Sequence, residues 1–434
     1  MKTRQLLTAA LLLSVALCAS SCLKDQKDVF DEPSSARMQA YLENVRNILE
    51  YTTDEGWVLD YYPGSAYAGI SIAVKFTSQE VTAVSEKDPF TEETSTFKLT
   101  TDDGPVLSFD TYNTILHEYA TPSSTKYQAK GGDFEFDILG VSDSEIILRG
   151  KRSRNYCFLH PLEENLEDYL LAVKDMESSI SVAAVSTEVG GTEYEGYLDS
   201  ATRTFSYGEK GTPDEQLLSK RYIVTPTGLR FAGEFSLGSE VFSEWVYDAS
   251  NEEFVDEMSG TVFEKVIPKG WVSYDDYLGG WTLNYNGGSS HFDITLTVAE
   301  QGNSFYMEGL SRGGYKATIT YNGGRGRLGW IRQGVGASGT KEIALCPWDA
   351  ASGYYTWGEG VGMVGYVEDE EVTPLEVKWM DNGVWKQTSD YSVDSWLCMV
   401  LDPNNSDNNT GATGNYMFAS GSYQLPGPIT LVKK

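Results

Sequence analysis

The chain has 434 residues, 41% of them hydrophobic, and 63 acidic against 33 basic side chains give a formal net charge of −30. This length and hydrophobic content suit two or three domains with real cores. A surface this acidic repels phosphate backbones, which argues against nucleic acid as a partner, and its simplest effect is to keep the protein in solution.

Residues 1–21 predict a lipoprotein signal peptide. Lys2 and Arg4 precede an apolar run, Leu6–Leu17, which has the length of a signal core and is shorter than the roughly 20 residues of a membrane span. Small residues then lead to Cys22, the expected site of acylation. The sequence therefore predicts a mature chain that is attached to a membrane through an N-terminal lipid.

Two short helices are predicted in the N-terminal half. After a charged tether at 22–32, Pro33 and two serines supply helix start signals, and a second helix follows Pro161 with acidic residues in its first turns. Apolar side chains recur at three- and four-residue steps in both. The predicted buried faces are Met38, Tyr41, Leu42, Val45 and Leu49 in the first helix, and Leu162, Leu166, Tyr169, Leu170 and Val173 in the second.

The rest of the chain is predicted to be strands and turns. Alternating apolar residues occur in Gly69–Phe76 and His291–Val298, and Phe134–Leu139 with Glu145–Arg149 predicts a hairpin. Such runs between closely spaced turns are typical of antiparallel sheets. We therefore expect a mainly β, two-domain protein, with an N-terminal β-rich domain at 33–268 and a C-terminal barrel or sandwich at 270–434.

Two segments resemble one another. Gly56–Tyr61 (GWVLDY) matches Gly280–Tyr285 (GWTLNY) in character at each position, and an alternating strand follows both. Duplication of a helix-led β unit would explain the likeness, and so would chance among turn-rich β sequences.

Tryptophan is concentrated in the C-terminal part. Of the ten tryptophans, Trp57 alone lies in the first 244 residues of the sequence, and the other nine lie between Trp245 and Trp396. These rings are expected either to fill a β-domain core or to form an exposed platform that stacks on sugar rings or peptide side chains. Trp348 and Trp357 are the candidate binding residues of such a platform.

Three cysteines follow Cys22, namely Cys157, Cys346 and Cys398. They are too few for a disulfide scaffold, and buried free thiols are the default expectation. A bridge between Cys346 and Cys398 is possible in an oxidising compartment, and their spacing does not decide it.

The densest cluster of functional side chains is Asp110–Glu118 (DTYNTILHE), with Asp110, Tyr112, Asn113 and His117 as candidate binding residues. His117 can act as a base or a metal ligand, with Asp110 or Glu118 as its partner. The second histidine of the zinc-protease motif HExxH is missing, so a histidine that is hydrogen-bonded within a loop is favoured.

Two weaker candidates contain acidic residues. Asp133 and Glu135 would share a face if a strand begins there, which is compatible with a glycosidase pair. The Asp- and Asn-rich segment Leu401–Gly411 lacks the glycine and the terminal glutamate of an EF-hand, so a solvated turn is expected. The sequence predicts no metal site and no cofactor.

The opening helix, GWVLDYYP (56–63), VLSFDTYNTILHEYATP (106–122) and GGDFEFDIL (131–139) resemble a family of Bacteroidota lipoproteins known as domain-of-unknown-function family 4302. The part from YLGGWTLNY (277–285) onward resembles lipocalin-like β modules of surface lipoproteins in the same bacteria. Members of the family are typically encoded near SusC/SusD-type nutrient importers of the outer membrane. The resemblance implies an accessory role in uptake, at the cell surface or the periplasmic face of the outer membrane, and it implies no reaction.

The expected function is therefore that of a non-catalytic accessory lipoprotein of an outer-membrane nutrient-uptake system. Its expected partners are the membrane, SusC/SusD-type proteins and a glycan or peptide ligand. The alternatives are a hydrolase that acts on polysaccharide or peptide, and a structural subunit of the importer complex. An exposed aromatic cleft would favour binding, and two carboxylates facing each other across a groove would favour hydrolysis.

Overall fold

The computed structural model describes residues 33–65, 67–123, 129–212 and 216–434. The predicted signal peptide, Cys22 and the tether lie outside the described residues. The described helices are α1 (Ser34–Tyr51), α2 (Leu166–Ser179) and the single turn α3 (Tyr274–Tyr277). The mainly β, antiparallel fold is confirmed, and α3 adds to the two predicted helices. None of the described helices is both long and apolar enough to cross a membrane.

The first unit is a nine-stranded antiparallel sheet whose strand order is β4-β3-β2-β1-β9-β8-β7-β6-β5. The predicted hairpin between Phe134 and Arg149 is present as β7 and β8. The strands are β1 (Trp57–Tyr61), β2 (Ile70–Thr77), β3 (Glu80–Ser85), β4 (Asp88–Thr96), β5 (Lys98–Thr101), β6 (Pro105–Ser108), β7 (Glu135–Val141), β8 (Ile146–Gly150) and β9 (Tyr156–Pro161).

The two helices cover opposite faces of this sheet. Val45 and Leu49 of α1 pack in one core with Ile72 of β2. Ala73, the next residue in β2, belongs to a second core that contains Leu170 of α2. The alternation in β2 therefore separates two buried faces, whereas an alternating strand usually has one solvated face. The Asn165 side chain accepts a hydrogen bond from the Asp168 amide and so caps the start of α2.

The second unit is a closed barrel of β10 to β17 in sequential order. Trp245 is fully buried at its centre, with ring centroids 3.9 Å from Phe263, 4.8 Å from Phe231 and 4.9 Å from Phe205. The strands are β10 (Ala184–Val189), β11 (Thr192–Asp199), β12 (Thr204–Glu209), β13 (Leu218–Val224), β14 (Gly228–Leu237), β15 (Glu240–Asp248), β16 (Glu253–Val255) and β17 (Val262–Lys265).

The third unit begins with α3 and contains a closed barrel and a six-stranded sheet. Its strands are β18 (Gly279–Tyr285), β19 (Ser290–Glu300), β20 (Ser304–Glu308), β21 (Ala317–Asn322), β22 (Arg327–Ile331), β23 (Gln333–Ser338), β24 (Lys341–Asp349), β25 (Tyr354–Tyr355), β26 (Gly362–Tyr366), β27 (Glu376–Asp381), β28 (Ser395–Leu401), β29 (Thr410–Gly411), β30 (Gln424–Leu425) and β31 (Thr430–Lys433). The barrel consists of β18–β22, β26, β27 and β31, and the remaining strands form the sheet. The barrel form of the predicted C-terminal domain is confirmed. Trp330 of the barrel stacks on Trp396 of the sheet at 4.6 Å, which joins the two cores.

The two similar sequence segments have the same structural role. The Trp57 indole donates to the Leu49 carbonyl at the end of α1, and the Trp281 indole donates to the Tyr277 carbonyl at the end of α3. Each tryptophan lies in the first strand of its unit, and that strand pairs with both the second and the last strand. The barrel after α2 has the same connectivity. Three helix-led β units thus share one plan, and duplication as its origin stays a prediction.

Three arginines of the first barrel reach into the nine-stranded sheet and join the two units. They are Arg203, Arg221 and Arg230, and each is largely buried or half-buried. Their partners on the sheet side are the carbonyls of Pro63, Tyr67 and Gly69 and the carboxylates of Asp60 and Glu86. Because charged groups are rarely buried without partners, this set of contacts indicates a fixed junction.

Candidate functional site

His117 lies in hydrogen-bonded contact with its own loop. Its Nδ1 accepts a hydrogen bond from the Asn113 amide at 3.2 Å, and its ring stacks on Phe134 at 4.8 Å. The Asn113 side chain is fully buried and caps the amides of Ile115 and Leu116. Burial lowers the pKa of His117, which keeps the imidazole neutral near pH 7.

The carboxylates considered as partners of His117 are engaged elsewhere. Lys98 pairs with Asp110 and lowers the pKa of that carboxyl. Glu118 forms ion pairs with two lysines, Lys87 and Lys130, at 2.6 Å and 2.8 Å. Tyr112 is 61% exposed, with its ring 5.3 Å from the His117 ring. The cluster therefore stabilises the loop, and neither Asp110 nor Glu118 is placed to pair with His117 as a catalytic or metal-binding partner.

Asp133 organises the chain around it from a buried position. Its carboxylate accepts hydrogen bonds from the backbone amides of Arg152 at 2.8 Å and Ser153 at 3.0 Å, and its backbone carbonyl accepts one from the Tyr61 hydroxyl. Strand β7 begins only at Glu135, which is exposed. The expectation that Asp133 and Glu135 share one face is wrong, because Asp133 precedes the strand and points into the turn.

Most tryptophans of the C-terminal part are in the cores. Trp245, Trp281, Trp330 and Trp396 are fully buried, and Trp379 and Trp385 are under 10% exposed. Their planar rings fill the cores of the first barrel and of the third unit, as large aromatic side chains usually do.

Trp348 and Trp357 lie at the hairpin of β24 and β25, which carries exposed rings. Trp357 is 52% exposed and its ring lies 6.0 Å from that of Tyr355, which is paired with half-buried Trp348. The 58% exposed Tyr354 stacks on Tyr391 at 4.8 Å. We call Trp348, Tyr354, Tyr355, Trp357 and Tyr391 the aromatic hairpin. Its rings offer apolar faces to solvent next to hydrogen-bonding groups.

The cysteines of the small sheet are free and buried. Cys398 is paired with Leu345, and Cys346 is the next residue along that strand, so the two thiols point to opposite faces. Cys346 belongs to one apolar cluster and Cys398 to another. Burial raises the pKa of Cys346 to about 12 and that of Cys398 to about 11, so both stay protonated. This arrangement disfavours the disulfide that the sequence left open.

The loop after β28 satisfies its own polar groups. Asp402 accepts hydrogen bonds from the Asn404 amide and the Asn408 side chain and forms an ion pair with Lys341. In the part of the chain that the structure describes, no three His, Cys, Asp or Glu side chains are grouped so that they can hold a metal ion.

A cleft lies between the nine-stranded sheet and the first barrel, and we call it the interdomain cleft. Its volume is about 510 Å³. One wall comes from the sheet and the other from β14 and β15 of the barrel. The lining residues are Glu145, Ile147, Phe158 and His160 of the sheet, and Arg230, Phe231, Gly233, Glu234, Ser243 and Glu244 of the barrel.

A buried charge network forms the floor of this cleft. Asp60, on the central strand β1, is fully buried, and its Oδ2 lies 3.4 Å from both His160 Nε2 and Arg230 Nη1. Arg230 Nε lies 3.6 Å from Glu244 Oε2, across the β14–β15 pair. Burial opposes the charge of Arg230, but the attractions of Asp60, Glu244 and the neighbouring tyrosines together outweigh it, so the pKa of Arg230 is raised. The guanidinium is therefore permanently charged and held between two carboxylates.

A β-bulge shapes the barrel wall of the cleft. The register between β14 and β15 shifts between Arg230 and Phe235, and Gly233 within the bulge has φ +75°. A bulge bends its strand and re-aims the neighbouring side chains. Here it sets Glu234 into the cleft lining, beside Arg230.

Sequence reasoning missed this site because its residues are far apart in the chain. Asp60 and Arg230 are 170 positions apart. One signal was available, since Asp60 is a charged residue within the otherwise apolar run Trp57–Tyr62. A charged residue amid buried neighbours needs a partner, although the sequence does not identify that partner.

The fold and the cleft define a multi-unit antiparallel β protein with a polar cleft at the junction of its first two units. Residues 26–249 match the family model described as Domain of unknown function (DUF4302). This match covers more than half of the chain, so the chain belongs to that family. Residues 256–399 match a second model, DUF4987, also described as Domain of unknown function. No curated protein and no solved structure matches the chain.

Proposed function

We propose that this protein is a non-catalytic, ligand-binding lipoprotein of the cell envelope, and that its ligand occupies the interdomain cleft. The observation that carries this proposal is the cleft of about 510 Å³ with the charged network of Asp60, Arg230 and His160 at its floor. Ligand pockets typically have volumes of about 300–1,000 Å³ and a few convergent polar groups. A buried ion pair contributes little net stability, so its presence at a cleft supports a role in recognition.

Binding without catalysis is supported by the two acidic groups that contact Arg230. A hydrolase of the two-carboxylate type needs one free acid and one free base facing across a groove. Here Asp60 forms an ion pair with the Arg230 guanidinium, and Glu244 lies against the same guanidinium. Two features favour the alternative of a hydrolase. A buried aspartate can orient a histidine base, as in the contact between Asp60 and His160. Glu145 and Glu234 also place a carboxylate on each wall of the cleft.

Placement in the cell envelope rests on the sequence. The signal-like segment before Cys22 and the resemblance to Bacteroidota lipoproteins support an accessory of an outer-membrane nutrient-uptake system with SusC/SusD-type partners. Replacing Cys22 by serine should abolish incorporation of labelled fatty acid and release the protein from the membrane fraction. Continued labelling of the Cys22→Ser protein would contradict the lipoprotein assignment.

The cleft itself is tested with a blocking substitution and a matched control. Ser243 lines the cleft, whereas Val241, two residues earlier on β15, is 53% exposed and lies outside the lining. Glycans and peptides that bind the mature protein in calorimetry should bind Val241→Trp equally well and Ser243→Trp at least tenfold more weakly. Equal binding by both variants would refute the cleft as the site. Cleavage of a bound compound, lost in His160→Gln, would establish the hydrolase instead.

The aromatic hairpin is a second candidate surface, favoured by the exposure of Trp357 and Tyr354. Rigid exposed rings stack well on the apolar faces of sugars. Removal of one stacking ring, in Trp357→Ala, should weaken the binding of a neutral oligosaccharide several-fold without lowering the melting temperature. The control is Met380→Ala, because Met380 is 50% exposed on β27 of the barrel and lies outside the aromatic hairpin. Unchanged oligosaccharide affinity in Trp357→Ala would rule this surface out.

A further inference from the structure

We infer that the ligand of the interdomain cleft carries an organic cation, an ammonium or a guanidinium group. This inference rests on the proposed function and names the class of its ligand. It follows from the charges of the lining, from two carboxylates that form no hydrogen bond or close ion pair among the described residues, and from the contacts that Arg230 makes.

The cleft lining has an excess of negative charge. Glu145, Glu234 and Glu244 are its acidic residues, and Arg230 is its one permanently charged basic residue. The Asp60 carboxylate behind the lining already engages that guanidinium. Lys220 lies beside the cleft, where its Nζ donates to the Glu234 carbonyl at 2.8 Å and its charge attracts the Glu234 carboxylate. The four carboxylates still outnumber the two cations, Arg230 and Lys220, so an anionic ligand would meet a net negative charge.

Two of the carboxylates are available to a ligand. Among the residues that the structure describes, neither Glu145 nor Glu234 has an ion-pair or hydrogen-bond partner for its carboxylate. They belong to opposite walls, because Glu145 directly precedes β8 of the sheet and Glu234 lies in the β14 bulge of the barrel. A cationic group between the walls would therefore meet a carboxylate from each side.

Arg230 is an example, within the protein, of a cationic group held between carboxylates of the two walls. Its guanidinium lies between Asp60 of the sheet and Glu244 of the barrel. The lining also includes Phe158, whose ring is stacked with that of His160 at 6.4 Å. Aromatic faces attract ammonium and guanidinium groups, which adds to the preference for a cation.

A bare metal ion does not fit this site. The described residues contain no group of three His, Cys, Asp or Glu that can hold one. The cleft of about 510 Å³ has room for a chain of several carbon atoms that bears a charged end. Polyamines and the side chains of lysine- or arginine-containing peptides have this chemistry.

The experiment titrates the mature protein with spermidine and with the neutral sugar maltotriose by calorimetry, at low and at high salt. Spermidine should bind with a stoichiometry of one, and more weakly at high salt because ions screen the attraction. Glu145→Gln and Glu234→Gln should each weaken spermidine binding roughly tenfold, the effect expected when one charge-assisted contact is lost. Glu188→Gln removes an exposed carboxylate outside the lining and should leave the affinity unchanged.

The outcomes separate the ligand class from the proposed function. Maltotriose binding that is lost in Ser243→Trp, without spermidine binding, would overturn the cation assignment and leave the cleft as a binding site. Spermidine binding that is the same in all three glutamine variants would show only attraction to the acidic surface, and would also overturn the assignment. If neither probe binds and no glycan or peptide distinguishes Ser243→Trp from Val241→Trp, both proposals fail.

Discussion

Replacing Arg203 by methionine should destabilise the junction between the nine-stranded sheet and the first barrel. The Arg203 side chain is 6% exposed, and its Nη atoms lie 2.6 Å from Glu86 and 2.7 Å from Glu177. It also donates to the Gly69 carbonyl at 3.0 Å. Glu177 is 49% exposed, so that pair contributes about 1 kcal/mol or less.

The magnitude comes mainly from Glu86. Its side chain is 10% exposed, and without Arg203 it would be a buried, uncompensated charge. Loss of one partner of a buried pair typically costs about 3–5 kcal/mol. We therefore expect Arg203→Met to lower the free energy of unfolding at pH 7 by about 3 kcal/mol, measured by urea unfolding with circular dichroism.

The pH dependence provides a sharper test. Burial raises the pKa of Glu86, and Arg203 counteracts that rise. In Arg203→Met the folded-state pKa of Glu86 should rise further above the unfolded value. The folded state then takes up a proton before the unfolded state does as the pH falls, so the deficit should shrink between pH 7 and pH 5.

Two further variants complete this test. Arg203→Met with Glu86→Gln should recover much of the loss, because no buried charge remains. Lys210→Met removes an exposed lysine paired with Glu193, so it should leave the free energy of unfolding nearly unchanged. A deficit for Arg203→Met below about 1 kcal/mol, or one that is equal at pH 5 and pH 7, would refute the reasoning.

Three other predictions concern residues that the sequence singled out. Asp133→Ala should lower the free energy of unfolding by about 2 kcal/mol, since the backbone amides of Arg152 and Ser153 lose a charged acceptor, and wild-type stability in urea unfolding would contradict this. Burial lowers the pKa of His117 in the folded state, so the neutral imidazole contributes to the free energy of unfolding above about pH 6.5, and this contribution should be lost as the pH falls through the folded-state pKa. The free energy of unfolding of His117→Gln should fall less than that of the wild type over this pH range. Parallel pH profiles of the two proteins would contradict the burial of a neutral His117. Cys346 and Cys398 should both react with iodoacetamide after denaturation without reductant, and protection of the pair would reveal a disulfide.

The sequence by itself determined the local elements of this protein. The alternation in Phe134–Leu139 and Glu145–Arg149 predicted the hairpin of β7 and β8, because strand periodicity depends on residues two positions apart. The start signals and apolar spacing near Pro161 predicted α2, whose cap Asn165 lies four residues further on. Composition left the tryptophans of the third unit between a core and an exposed platform, and the structure buries five of them, Trp281, Trp330, Trp379, Trp385 and Trp396.

The tertiary structure alone decided how these elements meet. The sequence indicated one buried face for β2, yet the second face is buried as well, because α2 and the first barrel pack there. The candidate site was also decided by the tertiary structure. Sequence reasoning selected the local cluster around His117 and missed Asp60, His160 and Arg230. Periodicity and capping are set by neighbours along the chain, whereas the interdomain cleft requires side chains up to 170 positions apart to meet when two separate β units dock.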